Sequence, residues 1–66
     1  MMTVRYILYT KPRWAGFRLT REGEKWEREF DSIPNALHYT RTLPDSQGAA
    51  LIVLDERGKQ MADLTV

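Results

Sequence analysis

The residues best equipped for chemistry in this chain are six cations and rings near its start: Tyr9, Lys11, Arg13, Trp14, Arg18 and Arg21. Cations that neutralise phosphates, set among rings on which bases stack, are the components of a single-stranded nucleic-acid platform. No RNA-binding motif accompanies them, and Trp14 can instead fold over one end of a sheet as part of the core. Catalysis has less to draw on. There is one histidine and no cysteine, and Gly16, Gly23, Gly48 and Gly58 are scattered singly rather than gathered in a phosphate loop. His38 as a general base needs an orienting carboxylate and a nucleophile or substrate pocket, and the sequence offers neither. Asp31, Asp45, Asp55 and Glu56 lack the spacing of a calcium loop or a facial triad, and three of them stand where caps and turns want them. The expectation is a protein that is not an enzyme and holds no cofactor or metal.

The elements that must position these residues are marked off by Pro12, Pro34 and Pro44. Residues 3–10 are rich in β-branched and aromatic side chains and predict a strand, ended by Lys11-Pro12-Arg13. Residues 15–20 alternate, with Ala15, Phe17 and Leu19 on one side and Gly16, Arg18 and Thr20 on the other, as a half-buried strand does. A turn at Arg21-Glu22-Gly23-Glu24 follows, Gly23 supplying the positive φ of a short hairpin loop. Residues 25–30 return to period two: Trp26, Arg28 and Phe30 face one way, Lys25, Glu27 and Glu29 the other. Arg28, between two aromatics, is expected to lie along them with its guanidinium reaching water.

Asp31-Ser32 reads as a helix entrance, because a serine oxygen can accept an unpaired N–H of the first turn and Pro34 is tolerated there. Ile33, Ala36, Leu37, Thr40 and Leu43 then recur at spacings of three and four, a narrow apolar stripe on a helix of about 11 residues. Arg41 suits the dipole at its end, and Pro44 cannot easily continue it. Residues 49–54, Ala-Ala-Leu-Ile-Val-Leu, are apolar on both faces and predict a central strand. Asp55-Glu56-Arg57-Gly58 is a hairpin turn and residues 59–66 the last strand. The order is β-β-β-α-β-β: one α+β domain over residues 1–66, with an antiparallel or mixed sheet and one helix packed on one face.

From Phe17 onward, Phe30-Asp31-Ser32, Ala36, Arg41, Leu51-Ile52-Val53 and the Asp55–Gly58 turn resemble a group of small stand-alone bacterial ββαββ proteins of unknown function. The resemblance covers about two thirds of the chain. It implies a fold and transfers no catalytic residue.

Size and charge limit the partners. A chain of 66 residues buries only about 60% of its unfolded surface, so its large apolar residues are needed for the core and a partner chain is a natural source of extra stability. The net charge is +1, yet residues 1–28 carry seven Lys or Arg against three Glu while residues 29–66 carry three against six acids. That asymmetry points to a basic surface, unless the interleaving of the halves in a sheet mixes the charges. The start of the chain has neither a signal-peptide core nor a membrane span, and the lack of cysteine fits a reducing compartment, so a cytoplasmic protein is expected.

The pattern also poses a problem of coverage. Ile52 and Leu54 demand cover on one face of the sheet just as Leu51 and Val53 do on the other, and one short helix cannot serve both. Two binding functions answer it. The first is a protein-interaction or self-associating module, with a homodimer formed through the open sheet face or an unidentified protein seated on it. The alternative is a nucleic-acid-binding adaptor that uses the basic and aromatic surface around residues 9–21. Long side chains such as Arg18 and Arg28, with the tyrosines, could also cover that face within the monomer.

Overall fold

The computed structural model describes residues 4–66. Five strands and one helix follow in the order β1 (Arg5–Tyr9), β2 (Phe17–Arg21), β3 (Arg28–Phe30), α1 (Ile33–Thr40), β4 (Ala50–Leu54) and β5 (Gln60–Thr65). The strands form a single mixed sheet in the order β3-β2-β1-β4-β5. β1 runs parallel to β4, and the other neighbours are antiparallel. This is the α+β arrangement that the sequence predicts. Thr3, expected in the first strand, lies outside the described residues. Among the described residues no helix is long and apolar enough to cross a membrane.

Period-two alternation divides the sheet into two faces, with one irregularity in the β4–β5 pairing between Val53 and Leu54. Tyr6 and Leu8 of β1, Leu19 of β2, and Leu51 and Val53 of β4 point to the helix side and are fully buried with Ala36 and Ala49. Phe17, Phe30, Ile33, Leu37, Tyr39, Leu43, Ala62 and Leu64 close around them. Burying a leucine in this way is worth about 1.5–3 kcal/mol, so Leu8, Leu19 and Leu51 anchor the layer. Thr40 is the polar member of the layer. Its hydroxyl donates to the Ala36 carbonyl at 2.7 Å, which removes the cost of burying it.

Helix α1 starts as predicted. Ser32 is extended, and its Oγ accepts from the Asn35 amide at 3.3 Å, with Pro34 in the first turn. It is shorter than predicted, at 8 residues. The amides of Thr42 and Leu43 bond back three residues, to Tyr39 and Thr40, so the chain tightens before Pro44 and Leu43 reaches the core from a turn. β3 is likewise shorter than residues 25–30. The Thr20 hydroxyl donates to the Trp26 carbonyl at 2.8 Å, a side chain taking the place of a ladder bond, and regular pairing begins only at Leu19–Arg28. Arg28 therefore shares the helix side with Leu19. It does not help to cover the helix-free face, contrary to one expectation from the sequence.

Three connections show what their residues contribute. Gly16 lies against the backbone of Phe30, and a Cβ there would collide with the Phe30 carbonyl oxygen. Gly23 has open space around it but a φ of 90°. In the β4–β5 turn, Oδ1 of Asp55 accepts the amides of Arg57 at 2.8 Å and Lys59 at 2.9 Å. The Lys59 amide first, then that of Arg57, holds the Asp55 carboxyl below its ordinary value of 3.8, and the nearby positive charges add to the effect.

Two outcomes are expected. Gly16→Ala lowers stability by about 1–3 kcal/mol because backbone must move, while Gly23→Ala, opposed only by its φ, loses about 1–2 kcal/mol; urea titrations of both read the difference. For Asp55 the folded carboxyl is the stronger acid, so its contribution is complete above the unfolded pKa and is lost as pH falls through the folded one, below 3.8. Asp55→Asn should be less stable than wild type near neutral pH. The gap should close in acid, as thermal melts over a pH series will show.

Candidate functional site

The helix-free face carries the other half of each strand. Cross-strand register sets Thr20, Ile7, Ile52 and Asp63 side by side in one row. In the next row Glu29, Arg18 and Tyr9 are neighbours, and Leu54 follows in the same alternation. The middle of the face, on β1 and β4, is thus Ile7, Tyr9, Ile52 and Leu54. All four are partly exposed. The flanks carry Arg18, Thr20 and Glu29 on the β2–β3 side, and Asp63 and Thr65 with the exposed Met61 on the β5 side.

Trp14 overhangs one end of this face. The turn that delivers it is closed by the Trp14 amide on the Lys11 carbonyl at 3.1 Å and passes through Arg13 at a φ of 75°. The Trp14 ring meets that of Tyr9 at 5.8 Å between centroids, tilted by 46°. The Arg18 guanidinium lies 4.3 Å from the Trp14 ring centre, and the Lys11 ammonium 6.0 Å from it. A cation so placed is held by the quadrupole of the ring. Arg18 is also paired with Glu29 at 3.3 Å and with Glu27 at 3.9 Å. Beside this stack, a cleft of about 470 Å³ opens between Trp14–Arg18 and Glu29–Asp31.

Of the six residues singled out in the sequence, then, Tyr9, Lys11, Trp14 and Arg18 come together in one stack. Arg13 stands in the adjoining turn, exposed. Arg21 is on the opposite side of the sheet. It is in register with Tyr6, its guanidinium 6.0 Å from that ring, and its Nε is 3.6 Å from Glu24. The sequence reading omitted Glu27 and Glu29, which neutralise Arg18. The signal for them was present, since they alternate away from Trp26 and Phe30, but their meeting with Arg18 depends on the β2–β3 register.

His38 is exposed in the last turn of α1. Among the described residues no three His, Asp or Glu gather as a metal-binding group. What this face presents is apolar area, adjoining rings and paired charges.

The Arg18 pairs are exposed, and pairs of this kind contribute only about 0–1 kcal/mol. Arg18→Ala is thus expected to leave stability nearly unchanged. It should alter the environment of Trp14, read as a change in tryptophan emission that Arg18→Lys only partly restores, because a lysine cannot stack its charge as a plane.

No protein-family model, curated protein or solved structure matches this chain, so the reading of the site rests on its own geometry.

Proposed function

We propose that this protein acts by binding, and that the helix-free sheet face is a self-association surface on which two copies meet. The observation that carries the proposal is the contiguous apolar strip of Ile7, Tyr9, Ile52 and Leu54, flanked by polar residues and Met61 and capped by Trp14. An apolar centre inside a polar rim, with an aromatic anchor, is the make-up of a protein interface.

The arrangement of the two central strands favours a second copy over other occupants. A two-fold axis running along the strands between β1 and β4 exchanges β1 with β4 and β2 with β5. Ile7 and Tyr9 of one copy then face Ile52 and Leu54 of the other, and Thr20, in the row of Ile7 and Ile52, faces Asp63 of the other copy. Such self-complementarity is the requirement of an isologous dimer, and two sheets stacked face to face bury both inner faces.

Nucleic-acid binding is the second reading, supported by the Tyr9–Trp14–Arg18–Lys11 stack. Two observations weigh against it as the main use of the face. Arg18 occupies one side of the Trp14 ring, where a base would stack, and Glu27 and Glu29 meet the Arg18 charge.

Sedimentation equilibrium at high micromolar concentration is expected to show a dimer, and Ile52→Lys is expected to return it to monomer without unfolding it. A strictly monomeric wild type overturns the dimer. If that monomer also loses tryptophan emission on titration with single-stranded oligonucleotides at low salt, the second reading replaces the first.

A further inference from the structure

A different opening lies on the helix side of the sheet, at the corner that α1 leaves uncovered. It is a groove of about 670 Å³ bounded by the β2–β3 hairpin on one side and by the end of α1 and the Leu43-Pro44 turn on the other. Trp26, Arg28, Tyr39, Leu43 and Pro44 line it. Its walls are completed by a third ring, a second guanidinium and three glutamates, Tyr6, Arg21, Glu24, Glu27 and Glu29.

The state of Arg28 sets its chemistry. Its guanidinium carbon lies 4.8 Å from the centre of the Tyr39 ring, and Nη1 donates to the Tyr39 hydroxyl at 3.0 Å. One of the five N–H donors is engaged by Tyr39, and the edge formed by Nε and Nη2 keeps the two parallel donors that match a carboxylate. The surrounding acids are already taken. Glu24 accepts from the Trp26 indole N–H and pairs with Arg21, while Glu27 and Glu29 pair with Arg18. Among the described residues no carboxylate lies within ion-pair distance of Arg28.

We infer that this groove binds a small organic carboxylate carried on an aromatic body, with the carboxylate on the free edge of Arg28 and the ring between Trp26 and the Leu43-Pro44 turn. The apolar walls are what select the body. Two arginines and three glutamates are mixed around the site, so attraction is short-ranged and directed rather than a field that gathers any anion, and a bare inorganic anion is a poor ligand.

The test is a titration of the ¹⁵N-labelled full chain with phenylacetate, followed by the indole N–H of each tryptophan and by the arginine Nε–H signals. Shifts are expected at Trp26 and Arg28, saturating with a Kd in the range of about 0.1–1 mM that suits a ligand of this size. Trp14, on the other face, should not move. Arg28→Lys should weaken binding about tenfold by removing the bidentate edge, with the unshifted Trp14 signal reporting that the fold is intact. The inference is overturned by the absence of shifts at Trp26 and Arg28, by equal binding of phenylacetamide, by inorganic phosphate binding as tightly as phenylacetate, or by full affinity in Arg28→Lys. None of these outcomes depends on whether two copies meet on the helix-free face.

Discussion

The parallel pairing of β1 with β4 is the constraint on which the rest of the molecule depends. Parallel neighbours cannot be joined by a tight turn, so everything between Tyr9 and Ala50 is in effect one crossover. That crossover contains a two-stranded extension of the sheet and the helix. Because β1 and β4 sit inside the sheet, both present apolar residues in both directions: Tyr6, Leu8, Leu51 and Val53 toward the helix, Ile7 and Ile52 away from it. The crossover supplies only one helix, and a helix can lie on only one of the two faces. The open face follows from the central pair, not from any residue chosen for exposure.

The same alternation sorts the charges. The first 28 residues carry an excess of cations, but successive positions on β2 and β3 send Arg18 to one face and Arg21 and Arg28 to the other. Each guanidinium then meets a ring: Trp14 for Arg18, Tyr6 for Arg21, Tyr39 for Arg28. Arg5, Arg18 and Arg21 also meet glutamates within the same part of the chain, Glu22, Glu29 and Glu24 respectively. What looks in the sequence like a basic half is, in space, a set of cations divided between two surfaces, three of them paired with glutamates. The expectation that strand interleaving mixes the charges describes it better than a single basic patch.

Local chemistry made most of the fold legible. Ser32 caps the helix because a serine before an apolar stripe can accept an amide of the first turn, and Gly23 and Gly58 adopt positive φ where hairpins require it. What escaped was whatever depends on register. The β2–β3 loop length decides that Arg18 stands opposite Glu29 and Leu19 opposite Arg28; period two alone shows which residues share a side of one strand, not which sides of two strands coincide. Arg28 was for this reason misplaced as cover for the open face. Helix length escaped for a similar reason. Leu43 continues the apolar stripe in number, but the turns at Thr42 and Leu43 bring it to the core by another route.

The two openings of the molecule, the helix-free face and the groove beside Arg28, have one origin. Five strands about 4.8 Å apart make a sheet some 19 Å across between its outer strands, and a helix with its side chains covers about 10–12 Å of that width. An eight-residue helix is about 12 Å long, shorter than the sheet is wide. A longer α1 would have closed the corner with apolar side chains and left no place for Arg21 and Arg28, which tolerate the helix side only because that corner stays wet. Their presence there is therefore tied to the early end of the helix. A chain this short cannot cover both faces and also close the corner, and the residues that it leaves in those places, aromatic rings with a cation laid over each, are types that remain favourable both against water and against a partner.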